Sequence, residues 1–280
     1  MGVHALYTAA SGMEAQLKNI DVIANNVANI NTDGFRRDRA NFADLFYRQQ
    51  ALAGSTGVGS NPRPAGIQIG HGVKLVSTEK VFETAALRNT GKDTDLAIES
   101  QAGNLFFRVE LPSGEEAYTR SGSFQVNGEG RLVMPSGYAL ADIAASPAEY
   151  RKIGVESDGR VYAHVGNEFQ GQEIGQIQLA RFVNPAGLTP IGDNLFTQSE
   201  GSGDPQLVNP EELDRVRILS GFVEGSNVSA IKELVHLIQG QRAYEINSNV
   251  VKTADEALQI ASCKRSYRPR GRRKSHRHLS

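Results

Sequence analysis

Residues 4–31 read HALYTAASGMEAQLKNIDVIANNVANIN. Leu6, Ala10, Met13, Leu17, Ile20, Ala24 and Val27 fall in alternating steps of four and three, which draws one narrow apolar stripe along an α-helix. The far end repeats the device. Residues 237–261, LIQGQRAYEINSNVVKTADEALQIA, set Leu237, Tyr244, Val251 and Leu258 seven apart, with Ala254 and Ala261 at the intermediate position. A stripe this narrow leaves the rest of the helix polar, so each helix needs a partner to cover it. The two ends of the chain are therefore expected to bind each other or neighbouring copies, and to stay poorly ordered until they do. That points to assembly rather than catalysis.

The first helix is expected over residues 4–31, with Gly34 as its left-handed terminator and Phe35 as the hydrophobic contact that follows such a cap. Four asparagines crowd its end, at Asn25, Asn26, Asn29 and Asn31, and asparagine is a weak helix former. Two readings stay open there: a fraying helix end, or amides that bond laterally between packed helices and set register. Residues 51–72, ALAGSTGVGSNPRPAGIQIGHG, read as a long loop or extended arm. From Val73 to about Leu219 short alternating segments are separated by turns, as at Pro112–Ser113–Gly114 and Asn127–Gly128, the second a strong hairpin signal. Ser226 or Asn227 is placed to cap a last helix over residues 228–260.

The expected fold is α+β: terminal α-helices forming a coiled-coil-like assembly layer, with a central all-β domain. Its segments are an N-terminal assembly helix (1–35), an extended arm or long loop (36–72), a β-rich domain (73–220), a C-terminal assembly helix (221–262) and a basic, disordered tail (263–280). The predicted interface comprises Leu6, Met13, Leu17, Ile20, Asn25, Asn26, Val27 and Asn29 from the first helix, with Leu237, Tyr244, Val251 and Leu258 from the last.

The net charge of the 280 residues is −1, but it is unevenly spread. Residues 264–277 hold eight of the 30 Lys and Arg and no acid, leaving 22 bases against 31 acids, or −9, elsewhere. A basic run gives phosphate affinity without sequence preference. The tail has one aromatic, Tyr267, and the body is acidic, so no nucleic-acid partner is expected. The single cysteine, Cys263, permits no internal disulfide. The start MGVH has neither a basic nor an apolar leader region, so no cleaved secretory signal is expected. The six histidines form no metal-ligand pair with the usual spacing, and no nucleophile elbow, phosphate loop or dinucleotide fingerprint occurs. Catalytic, cofactor-binding and metal-binding residues are accordingly expected to be absent.

Several motifs in order carry a resemblance. Ala5–Leu6–Tyr7–Thr8–Ala9–Ala10–Ser11–Gly12–Met13, Ile23–Ala24–Asn25–Asn26–Val27–Ala28–Asn29 and Asn31–Thr32–Asp33–Gly34–Phe35 resemble the N-terminal signature of bacterial flagellar rod and hook proteins. Asp95–Leu96–Ala97–Ile98 and Ala117–Tyr118–Thr119–Arg120–Ser121–Gly122–Ser123–Phe124 continue the likeness. It ends with Gly221–Phe222–Val223–Glu224–Gly225–Ser226–Asn227–Val228 and Gln241–Arg242–Ala243–Tyr244–Glu245 with Asn247–Ser248. Within the family, the chain length and the arm around residues 54–72 are most similar to the distal rod branch. Two departures stand out. The family's Gly-x-Gly-Phe-Phe run is replaced by Ala102–Gly103–Asn104–Leu105–Phe106–Phe107, and the basic tail has no counterpart. A lineage-specific extension and a shifted reading frame both remain open for that tail.

The resemblance implies a structural subunit of the hollow drive shaft between motor and hook, polymerising into the distal rod. The alternative is another β-domain-containing rod subunit nearer the membrane. It implies further copies of the chain, other rod subunits, hook-side subunits, surrounding ring proteins and the flagellar export apparatus as partners. It also implies a place in the basal body, across the periplasm, reached by type III export without a cleaved signal.

Overall fold

The computed structural model describes residues 2–52, 54, 65–146, 150–165 and 171–266. The chain divides into two compact units: Met1–Asp21 with Ala40–Ser77 and His236–Ser280, and Val22–Arg39 with Thr78–Val235.

Two long helices open and close the chain, α1 over Gly2–Ala28 and α2 over Ala230–Ser266. The asparagines explain the early end of α1. Asn29 donates through its backbone to Asn25 and Asn26 and through its amide to the Asn25 carbonyl at 3.0 Å, closing turns instead of extending the helix. Gly34 then turns the chain at φ +75°, a conformation that suits a residue without Cβ. At the other end, α2 continues four residues past the expected limit of 262, through Cys263, Lys264 and Arg265 to Ser266. These residues precede Pro269, and basic side chains are favourable in a last helical turn. The rest of the basic tail lies outside the described residues.

The segment 36–72 is built differently from the expected loop. Asp38–Asp44 pairs with Val73–Lys80, and Tyr47–Ala51 pairs antiparallel with Ile67–Gly70. Alternation is poor in YRQQA and IQIG, and most of their side chains are exposed, so no inward and outward faces mark them as strands in the sequence. Residues 53 and 55–64 lie outside the described residues.

The second unit holds the β-structure. A nine-stranded sheet runs, in spatial order, through Thr189–Gly192, Leu195–Thr197, Glu116–Thr119, Leu105–Glu110, Ala139–Leu140, Leu132–Val133 and Gln125–Val126. Leu179–Arg181 and Gln206–Val208 branch from Leu105–Glu110. Leu105–Glu110 is buried on both faces. Leu105, Phe107 and Val109 face one apolar cluster with Phe124, Leu132 and Leu195, while Phe106 stacks edge-to-face with Phe182 and Phe82. Each such side chain contributes roughly 1.5–3 kcal/mol on burial. Gln172–Gln176 and Leu179–Arg181 are separate strands, because Ile177 turns inward and its N–H bonds the Gly159 carbonyl at 2.8 Å.

Two short pairings connect sequence-distant chain. Leu96–Glu99 pairs with Arg217–Ser220, and Leu87–Asn89 pairs with Phe222–Glu224.

Candidate assembly interface

The two helices run antiparallel within the first unit. Asn247 packs on Gly12 so closely that a Cβ there would lie 3.0 Å from its Nδ2, and Ile20 lies likewise 3.2 Å from the Cβ position of Gly240. The paired positions sum to 259 and 260, which places Gly2 level with about residue 257 or 258. The described helix α2 continues beyond that level to Ser266. Glycines at Gly12 and Gly240 thus allow close approach of the two helices at both crossing points.

On α1 the buried residues are Ala9, Ala15, Ile23 and Asn26, and the half-buried ones include Leu6, Met13, Gln16 and Ile20. The predicted stripe straddles the edge of this covered face. Leu6, Met13 and Ile20 lie on its near side, whereas Leu17 and Val27 are 48% and 38% exposed, as are the flanking Ala10 and Ala24 in kind. On α2, Leu237, Tyr244, Val251 and Leu258 form a half-buried row with Asn247 and Ala254, around the buried Gly240. A second row faces outward: Ile231, Leu234, Val235, Ile238, Ile246, Val250 and Ile260 are all exposed. Sequence reading found one stripe per helix and missed this one, because apolar residues on two sides of α2 blur the amphipathic signal.

Of the predicted asparagines, Asn25 is exposed and Asn29 half-buried, each engaged with the other. Asn26 corrects the lateral-amide reading. It is 1% exposed and binds its own chain, donating to the Asp38 carbonyl at 2.9 Å and accepting the Asp38 N–H at 2.8 Å. The amide side chain thereby acts like a strand partner for the start of Asp38–Asp44, buried within its own subunit.

A buried ionic junction went unread in the sequence. Arg36 Nη2 lies 2.6 Å from Glu224 Oε1, and Arg120 Nε lies 2.9 Å from Glu224 Oε2, with all three side chains at 2% exposure or less. Glu224 also accepts the Ala85 N–H at 2.9 Å, and Arg120 donates to the Leu105 carbonyl at 2.7 Å. Burial lowers the Arg36 pKa to about 10, the attraction of Glu224 opposing that shift and the repulsion of Arg120 adding to it. Beside the junction, Asn227 accepts the Arg37 N–H at 2.7 Å and donates to the Val81 carbonyl at 2.7 Å. The segments leaving α1 and entering α2 are so held together in one core. Arg120 and Glu224 sit in motifs quoted above and Arg36 directly follows one, but nothing in their spacing shows that they meet.

Among the described residues, no group of three or more His, Cys, Asp or Glu side chains stands together as metal ligands would.

Known proteins match in the same order as these elements. Family models match residues 6–36 (flagella basal body rod protein), 101–163 (flagellar hook protein FlgE/F/G D1 domain) and 219–262 (flagellar basal body rod FlgEFG protein C-terminal). The flagellar basal-body rod protein FlgG of Borreliella burgdorferi is 42% identical over 93% of this chain and 98% of its own. That of Caulobacter vibrioides is 43% identical over 94% and 100%. The FlgF rod protein of Caulobacter vibrioides is 31% identical over 92% and 95%. On identities of this level across nearly the whole of both chains, the protein belongs to the FlgG family of flagellar basal-body rod proteins.

Proposed function

We propose that this chain is a structural subunit that polymerises into the distal rod of the flagellar basal body, the shaft between motor and hook. The observation that carries the reading is the pair of helices that cover one flank of each other and leave apolar rows open on the other. Leu17 and Val27 on α1, with Ile238, Ile246 and Ile260 on α2, are the surface that neighbouring copies would bury. Family membership and the higher identity to FlgG than to FlgF relatives support the distal position over a rod subunit nearer the membrane.

In this reading the partners are further copies of the chain, other rod subunits, hook-side subunits, the surrounding ring proteins and the export apparatus. The subunit reaches the basal body without a cleaved signal, and neither catalysis nor a cofactor enters its role. The arm at 51–72 reaches an adjacent subunit and stiffens the shaft. The terminal helices become protected only on assembly, so amides of 4–31 and 228–260 exchange fast in the free subunit.

Leu17→Asp places a charge on the open row without touching the β-core. It is expected to stop polymerisation and rod formation while thermal unfolding of the β-structure stays unchanged. A variant strain that still builds complete rods and hooks would falsify the reading.

A further inference from the structure

A cleft of about 440 Å³ opens in the first unit, where the first turns of α1 meet α2 and the strand pair at the base of the arm. Ala5, Ala9, Ile69 and Val250 supply its apolar wall. Its polar rim is Arg48, His4 and His71 with Thr8, Gln50 and Asn247, and among the described residues no carboxylate lines it. Arg48 has no acidic partner among the described residues. Its Nη1 lies 3.2 Å from His4 Nε2 instead. A guanidinium only donates, so His4 Nε2 is the acceptor in that contact. His71 Nδ1 lies 2.9 Å from the Phe46 carbonyl and must therefore donate, and its ring stands edge-on to His4 with centroids 5.7 Å apart.

We propose that this cleft receives a carboxylate of a second copy of the chain, from the Asp255–Glu256 turn of the copy's α2. The inference rests on the assembly reading above. Charge complementarity supports it: a cationic rim without acids stands on a chain whose residues outside 264–277 sum to −9. Continuity supports it as well, because Val250 belongs both to the cleft wall and to the open row of α2. Asp255 and Glu256 lie on that same helix, exposed, ahead of the exposed Ile260. Neither forms an ion pair with a base among the described residues.

The chemistry is a displacement of one acceptor by a better one. An incoming carboxylate offers Arg48 a bidentate anion in place of one imidazole lone pair. The groups facing His4 are Arg48 from Tyr47–Ala51, His71 from the turn after Ile67–Gly70, and the uncharged Asn247 and Val250 from α2.

The test follows self-association of the full-length chain by light scattering and sedimentation. Arg48→Glu should weaken association at least tenfold, and adding Glu256→Lys to it should restore a large part of the loss. Arg48 is exposed, so unchanged thermal unfolding will show that each variant is folded. Native-like association of Arg48→Glu, or no restoration by Glu256→Lys, overturns the cleft while leaving the assembly reading standing if Leu17→Asp still blocks association. A native chain that does not self-associate at all overturns both.

Discussion

Arg36 and Glu224 come from opposite ends of the chain and meet at 2.6 Å in a core where neither is more than 2% exposed. With Arg120 on the other carboxylate oxygen, one anion faces two cations. Removing the anion strands both guanidiniums in a low-dielectric site, a loss of about 3–5 kcal/mol for a buried pair broken on one side. Glu224→Gln keeps the shape and the acceptor for Ala85 but not the charge. Its urea midpoint should fall accordingly, and a loss below about 1 kcal/mol would show that the junction is not needed.

The Asn26 amide satisfies both backbone groups of Asp38. Asn26→Ala leaves a donor and an acceptor without partners and should cost about 1–3 kcal/mol. Asn25→Ala, at an exposed neighbouring position, should cost a few tenths at most. Equal effects of the two substitutions on thermal unfolding would contradict the bridging role.

Gly34 combines a left-handed backbone with tight contact. Its φ is +75°, and a Cβ would press on the Ser121 backbone. Gly114, in the Pro112–Ser113–Gly114 turn, has φ +85° but nothing within 4 Å of its Cβ position. Gly114→Ala should cost only the conformational share, about 1–2 kcal/mol, while Gly34→Ala should cost more than that. Denaturant titration of both variants checks the order.

Alkaline titration has two opposing contributions. Burial, with the adjacent Glu116 carboxylate, pushes the Tyr118 phenol up to about 12. Between pH 10 and 12 the unfolded phenol loses its proton while the folded one keeps it, so this group destabilises the fold as pH rises. Arg36, lowered to about 10, works the other way, because the unfolded chain then binds the extra proton. Tyr118→Phe removes only the first contribution. Its stability should decline less steeply than the native chain's from pH 10 to 12, read as thermal midpoints across the range.

The strand pair Tyr47–Ala51 and Ile67–Gly70 carries the arm on a two-stranded base with Phe46 fully exposed beside it. Deleting residues 54–63 leaves that base in place and removes the reach proposed for the arm. Purified rods of the variant should be more flexible or curved in electron micrographs. Straight rods of native stiffness would rule out the stiffening role.

The two terminal helices, the hairpin at Leu105–Glu110 and Glu116–Thr119, and the β-rich middle were all legible in the sequence. Periodicity and turn residues are local signals, and these elements are made by local rules. The motif order was enough to place the chain in its family before any geometry. What only the tertiary structure decided is long-range. Nothing in the spacing of residues 36, 120 and 224 says that they share one buried ionic junction, and nothing in an asparagine cluster says which amide turns inward. The strands at the arm base lack alternation because almost no side chain there is buried. The face that α1 buries is set by Gly12 and Gly240, since small residues decide where two helices can approach, whatever stripe is the more apolar. Sequence determines which groups are available; close packing of distant segments determines which of them are used up inside the subunit and which remain for a neighbour.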